Sequence, residues 1–323
     1  MCINMKNFKE ICMMSKEKVK EYMQGYLSNK GYKVINEDGF LYARGDIPVL
    51  LVAHMDTVHK LKCTQIIEQD GKISSPQGIG GDDRCGIFII MNVVKELHCS
   101  VLLCEDEETG GIGARKFTKT EYINDLDVNY MVELDRKGNN DAVFYSCDNP
   151  EFTAFITDTT GFQKAFGYFS DISVIAPAAK IAAVNLSSGY YNAHTTNEYV
   201  MYDEMMDTVE AVKTLVKTES EKFEYIAMKY TGHYNCHAGG YFEEDYEDNF
   251  LDAYYGDGPY GNKELYNEVK HDTEIELEVV YDAFGIKEQV AYASGSTKME
   301  AWFNFFLENP SICFNDVTGY SFC

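Results

Sequence analysis

From Ser15 to Tyr32, SKEKVKEYMQGYLSNKGY sets apolar residues at helical spacing behind a Ser cap and stops at Asn-Lys-Gly, which predicts a first helix. Strand-like runs follow: YKVIN, FLYARG and PVLLVAH (48–54). The last is continuously apolar, the pattern of a strand buried on both faces of a sheet. A polar, hairpin-like stretch leads to DRCGIFIIMNVVKEL (83–97), which reads as a buried helix, and SVLLCED (100–106) as a second interior strand. GGIGARKF opens another helix, NYMVELD (129–135) is a third strand and KIAAVNLSS (180–188) a fourth. DEMMDTVEAVKTLVKT (203–218) again has helical periodicity. Apolar strands alternating with helices predict a three-layer α/β/α sandwich around a mostly parallel sheet.

The organisation expected from this pass has four parts. Residues 1–14 read as an N-terminal tail, 15–218 as a catalytic domain, 219–265 as a linker or loop, and 266–323 as a small C-terminal α+β module. The linker is dense in Tyr, Glu, Asp and Gly (YFEEDYEDNFLDAYYGDGPYG), a composition that buries little. Beyond it, TEIELEVVYDA (273–283) alternates like a strand, STKMEAWFNFFLEN (296–309) reads as a helix and SICFNDVTGYSF as a final strand. Trp302, Phe303, Phe305 and Phe306 in that helix read as core packing.

Composition narrows the function classes. With 45% hydrophobic and 25% charged residues the 323-residue chain has the balance of a globular protein with a sizeable core. A formal charge of −24 repels phosphate backbones, which argues against nucleic-acid binding and favours cations or amine-bearing substrates. No run reaches the roughly 18 apolar residues of a membrane span, so no membrane partner is expected. The N-terminus lacks the apolar stretch of a signal peptide, and the ten cysteines form no CxxC pair. They read as reduced thiols, mostly in the core, of a cytoplasmic protein.

The chemistry lies in where ligand-type residues fall. His54-Met55-Asp56 ends the strand VLLVAH, and Asp82 and Asp83 follow the turn GIGG. Glu107 and Glu108 follow VLLCED, Asp135 ends MVELD, and His194 lies in the loop after AAVNLSS. In open α/β sheets ligands bind at the carboxyl ends of strands, so five segments bring acids and imidazoles to one edge. Two His and three carboxylates form a donor set that zinc accepts, and a shared carboxylate can bridge two ions. Paired ions polarise a carbonyl and acidify a water; of two adjacent glutamates, one can coordinate while the other takes the proton. Asp56, two residues after His54, is placed to orient that imidazole. GIGGDD lacks the full spacing of a nucleotide-binding glycine loop, and no GxSxG elbow accompanies Ser187 and Ser188. His233, Cys236 and His237 offer too few donors for a second metal site and read as an ordinary loop.

The segments VAHMDTV, GIGGDDRCG, EDEETGGIGA, VELD and YYNAHTTNEYV, spread over residues 48–200, resemble the co-catalytic di-zinc exopeptidases of the MH clan. That clan includes leucyl-type and glutamyl-type aminopeptidases, tetrahedral aminopeptidases, peptidase T and aminoacylase relatives. FSDISVI, with Asp171, resembles a Ser/Thr-Asp segment of several of these families. The resemblance implies two divalent ions, zinc foremost, with cobalt or manganese as alternatives. His54 and Asp135 would hold one, Glu108 and His194 the other, and Asp82 would bridge them. Glu107 would be the general base and Asp56 the orienter of His54. The implied activity is exopeptidase action on small peptides, most simply release of an N-terminal residue, by a chain that can form a homo-oligomer. The alternatives are a deacylase or carboxypeptidase using the same centre, or a non-catalytic binding protein on this fold. The intervals His54–Asp82 and Asp135–His194 are too short for the inserted domains of some relatives, which leaves a compact aminopeptidase layout. Tyr191 stands where some relatives carry Arg, and Arg136 beside Asp135 is either a substrate contact or a structural ion pair.

Overall fold

A computed structural model describes residues 3–167, 169–228, 275–283, 286–295 and 317–322. The chain divides into two compact units, Met1–Asn235 and Cys236–Cys323.

The first unit opens with helices α1 (Ile3–Cys12) and α2 (Lys16–Asn29), then strands β1 (Val34–Glu37), β2 (Phe40–Ala43) and β3 (Ile47–His54). Next come β4 (Ile67–Gln69), β5 (Lys72–Ser74), α3 (Gly81–Val93), β6 (Cys99–Cys104) and α4 (Ile112–Thr118). They are followed by β7 (Tyr130–Arg136), β8 (Asp141–Val143), α5 (Pro150–Thr160), β9 (Gln163–Ala165) and α6 (Asp171–Ala179). β10 (Ala183–Ser187), β11 (Tyr190–Tyr191), β12 (Tyr199–Met201) and α7 (Tyr202–Lys217) complete the set.

Eight strands form the main sheet in the order β1-β2-β6-β3-β7-β10-β8-β9. Its centre, β6-β3-β7-β10, is parallel throughout, and antiparallel pairs sit towards both edges. The mostly parallel sandwich expected from the sequence is therefore present. Side chains alternate between faces along each strand. Val49, Leu51 and Ala53 of β3, with Val101 of β6, Val132 of β7 and Val184 of β10, join one core with Phe88 of α3 and Val209 of α7. The intervening positions, among them Val52, Cys104, Glu133 and Asn185, face the other way, where α6 packs on β3, β7 and β10. β3 and β7 pair Val52 with Glu133, so His54 and Asp135, two residues further on, leave the same sheet edge on the same face.

Several local expectations shift. The stretch ahead of Ser15, expected as a tail, carries α1, whose Phe8 and Ile11 are fully buried; Phe8 meets Phe88 edge-on at 5.4 Å. The helix expected over 83–97 runs Gly81–Val93, and the residues after it turn to feed β6. The segment beyond α7, expected to begin a linker, continues on this unit through residue 228. Phe223 N donates to the Asn129 carbonyl, and the Phe223 ring packs edge-on or tilted against Tyr130, Phe152 and Phe155. α5 was not anticipated, although Asn149 caps it, Pro150 opens it and Gly161 closes it.

A second, four-stranded antiparallel sheet has the order β11-β12-β5-β4. It is built from two hairpins, one ahead of Asp82 and one whose loop contains His194, joined through β12 and β5. Cys12, Cys63, Cys85, Cys99, Cys104 and Cys147 are free and buried, as expected for core thiols. Among the described residues no helix is long and apolar enough to cross a membrane.

In the second unit the described residues form one antiparallel sheet of β13 (Ile275–Ala283), β14 (Ile286–Gly295) and β15 (Val317–Phe322), ordered β14-β13-β15. β13 and β15 fall within predicted strands; β14 was not anticipated. The helix expected over 296–309, most of the acidic stretch, and His233, Cys236 and His237 lie outside the described residues.

Candidate metal centre

All five sequence-derived ligand candidates converge. His54, at the end of β3, has no solvent exposure; its Nε2 lies 3.0 Å from Asp82 Oδ1 and 3.5 Å from Asp135 Oδ1. His194 Nε2 lies 3.2 Å from Asp82 Oδ2 and 3.0 Å from Glu108 Oε2. Asp82 thus turns one oxygen to each imidazole, the disposition of a bridging carboxylate. His194 holds a left-handed backbone conformation (φ 65°) in the β11–β12 loop. Its side chain is 54% exposed while His54 is enclosed, so the centre opens to solvent on the His194 side.

Asp56 is nine-tenths buried and lies against three groups. Its oxygens accept from the amides of Glu107 (3.1 Å) and Glu108 (3.2 Å), and Oδ1 lies 3.3 Å from His54 Nδ1. Asp135 is equally confined: Tyr190 Oη donates to one oxygen at 3.1 Å and Ser170 Oγ to the other at 3.0 Å. Asn185 pairs with its backbone through both amide atoms. Asp83, beside Asp82, is fully buried but accepts from the amides of His54 and Gly86, so its oxygens already have donors.

The electrostatics show what such crowding does. Burial works against charge on His54, yet Asp135, Asp56 and Asp82 hold its pKa well above the ordinary imidazole value. Hydrogen bonds to Asp82 and Glu108 raise His194 to about 10. Burial, together with the charge of Asp82, pushes Asp135 up to about 7. Burial also raises Glu107 well above the carboxylate range. Two imidazoles cannot balance Asp82, Glu107, Glu108 and Asp135 in a poorly solvated space; a bound cation would relieve the strain. Two groups of potential ligand atoms lie within 4.8 Å of one another: His54 with Asp82 and Glu108, and His54 with Asp135 and the already engaged Asp83. Glu108 Oε1 is buried and has no protein partner. A set of imidazole nitrogens and carboxylate oxygens fits zinc and similar divalent ions.

Around the centre lie residues that the sequence analysis passed over. Glu198, fully buried in the loop after His194, pairs with His59, and Arg84, also buried, donates to the Met55 and Met14 carbonyls. Neither has a periodic signature, because a buried charge inside a polar loop or a helix start looks like a surface charge in sequence. Arg136 is tied to Asp141 through two bonds to one oxygen, the structural ion pair of the two readings. Ser187 and Ser188 donate to backbone carbonyls. A cavity of about 570 Å³ adjoins Asp82, Asp135 and His194, with Tyr145, Tyr191 and Lys137 among its walls.

No family model matches the chain, and no curated protein matches it. Solved structures do. The aminopeptidase PepT from Bacillus cereus superposes with a TM-score of 0.56 at 16% identity, covering 66% of this chain and 97% of that one. A tripeptidase from Staphylococcus aureus gives 0.55 at 14%, covering 66% and 97%. A leucine aminopeptidase precursor from Bacteroides thetaiotaomicron gives 0.52 at 13%, covering 67% and 94%. At these identities the likeness is one of fold, and the chain has the α/β fold of these aminopeptidases.

Proposed function

We propose that this chain hydrolyses the amide bonds of small peptides, releasing an N-terminal residue, at a pair of divalent ions held by His54, Asp82, Glu108, Asp135 and His194. The observation that carries this reading is the Asp82 carboxylate, with one oxygen turned to His54 and the other to His194. Ions in that position, zinc foremost, would polarise the scissile carbonyl and acidify a water.

The chain's own residues supply the remainder. Glu107 is held at the centre by the hydrogen bond that its backbone N–H donates to Asp56, and burial makes its carboxylate an unusually strong base. It takes the proton of the attacking water and returns it to the leaving amine. Asp56 Oδ1, 3.3 Å from His54 Nδ1, is placed to orient that ring. The cavity beside the centre is of a size for a few residues of peptide, and nearby carboxylates suit a free amine.

A second reading rests on Lys137. It lines the same cavity, and unlike Arg136 its ammonium has no carboxylate partner among the described residues. A cation there suits a substrate carboxylate, as an N-acyl amino acid or a peptide C-terminus presents. A full-length preparation made without chelator, assayed for metal and for turnover of aminoacyl, N-acyl and C-terminal amide substrates, separates the readings. About two ions with chelator-sensitive release of N-terminal residues supports the aminopeptidase. Release from N-acyl or C-terminal substrates alone moves the activity to the second reading. No metal and no turnover after adding zinc, manganese or cobalt leaves a binding protein. Glu107→Gln should lower kcat by about 10²–10⁴-fold with metal content unchanged. Loss of metal in that variant would mean that Glu107, not Glu108, is the ligand.

A further inference from the structure

Glu198 has no exposed surface, and both carboxylate oxygens point inward at one short turn. Oε1 accepts from the amide of Asp82 at 3.0 Å; Oε2 accepts from the amide of Gly80 at 2.9 Å and lies 2.6 Å from His59 Nε2. Those three contacts connect three chain segments. His59 follows the β3 end that carries His54, Gly80 and Asp82 form the turn into α3, and Glu198 closes the loop that carries His194.

The turn is shaped to admit these side chains. A Cβ on Gly81 would come 2.8 Å from Val200 Cγ2, 2.9 Å from Tyr190 Cβ and 3.3 Å from Glu198 Oε1. A Cβ on Gly78, whose φ is +88°, would fall 2.2 Å from His59 Nδ1. Glycine in GIGG therefore serves close approach to Glu198 and His59.

We propose that Glu198, seated by His59, is a positioning residue of the metal centre: it fixes the backbone of Asp82 so that the carboxylate presents one oxygen to each half of the site. The inference rests on the two-ion reading above. Burying a carboxylate is expensive, and a well-packed apolar residue is often as stabilising, so packing alone does not account for this one. One of its bonds is to the amide of Asp82, the residue that both imidazoles face, and a second is to Gly80 two positions earlier in the same turn; partners that orient ligands in this way typically govern metal affinity by about 10–100-fold. Because Glu198 reaches the substrate side only through Asp82, its loss should act on kcat and metal affinity and leave KM nearly unchanged.

The test is cobalt(II) titration of the full chain, followed by visible absorption, in the wild type, Glu198→Ala, Glu198→Gln and His59→Gln. Urea unfolding of each metal-free protein and kcat and KM of each cobalt-loaded one accompany it. Glu198→Ala should weaken cobalt binding by about 10–100-fold and alter the ligand-field bands. Glu198→Gln should fall between, since its oxygen can keep one amide bond while its NH2 opposes the other N–H. If Glu198→Ala does not fold, the glutamine variant carries the test. Folded Glu198 variants that bind cobalt within about twofold of wild type, with the same spectrum, overturn the positioning role while the hydrolase reading stands. A wild type that binds no cobalt overturns both, and does so without reference to the variants.

Discussion

Asp56 offers a test whose size can be worked from the contacts. Asp56→Ala removes the acceptor of two backbone amides, those of Glu107 and Glu108, and the neighbour of His54 Nδ1. Asp56 is 9% exposed, while Glu107 and Glu108 are half-buried. A buried amide left without a partner loses about 1–3 kcal/mol, so two set a ceiling of about 2–6 kcal/mol. Two effects reduce this: the variant no longer desolvates a carboxylate, and it removes one negative charge from a crowded group. A loss of about 2–3 kcal/mol is expected, a sizeable part of the 5–15 kcal/mol that holds an ordinary domain. Metal affinity should fall by about 10–100-fold, or about 1.4–2.7 kcal/mol, because His54 loses its orienting partner. Asp56→Asn keeps one oxygen for the amides and should recover much of the stability but little of the affinity. The assay is urea unfolding of chelator-treated protein followed by circular dichroism, paired with metal titration. Stability of Asp56→Ala within about 0.5 kcal/mol of wild type, with unchanged affinity, would refute the reasoning.

Two further outcomes follow from the same geometry. His194, raised to about 10 by Asp82 and Glu108, enters neutral solution protonated, and a coordinating imidazole must be neutral. Metal uptake at pH 7 should therefore release protons and strengthen as pH rises, levelling off near pH 10; calorimetry in buffers of different ionisation enthalpy reads this, and uptake without proton release removes His194 from the ligand set. Phe8→Ala should cost about 3–5 kcal/mol, because Phe8 is fully buried against Phe88; a loss under about 1 kcal/mol would return α1 to the status of a tail.

The legible part of this protein lies where a physical pattern is local. PVLLVAH and MVELD show a buried strand and its polar end within a few residues, which is why His54 and Asp135 could be placed at one sheet edge. Ser15 caps α2 as its sequence position suggests. What escaped notice is small or non-local. β11 and β12 are two and three residues long and have no periodicity, yet their hairpin presents His194. Glu198 and Arg84 are buried charges whose partners are distant in sequence. α1 has no continuous apolar run, and packing against α3 gives its apolar residues a role. The Asn149–Pro150 start of α5 is a local cap signal that stands apart from the strands and the ligand residues.

The ties that close the centre span long stretches of chain: His59 and Glu198 are 139 positions apart, and Glu198 reaches Gly80 across 118. Closing loops of that length is entropically slow compared with forming a helix or a hairpin, and parallel pairing of β3, β7 and β10 adds to the delay. The donor set thus comes into existence only when the sheet is complete. A nascent or partly folded chain has scattered carboxylates and single imidazoles, while in the finished one they lie within a few ångströms of one another. Metal capture would then be one of the last events in the maturation of the protein, and a clock for how long that maturation takes.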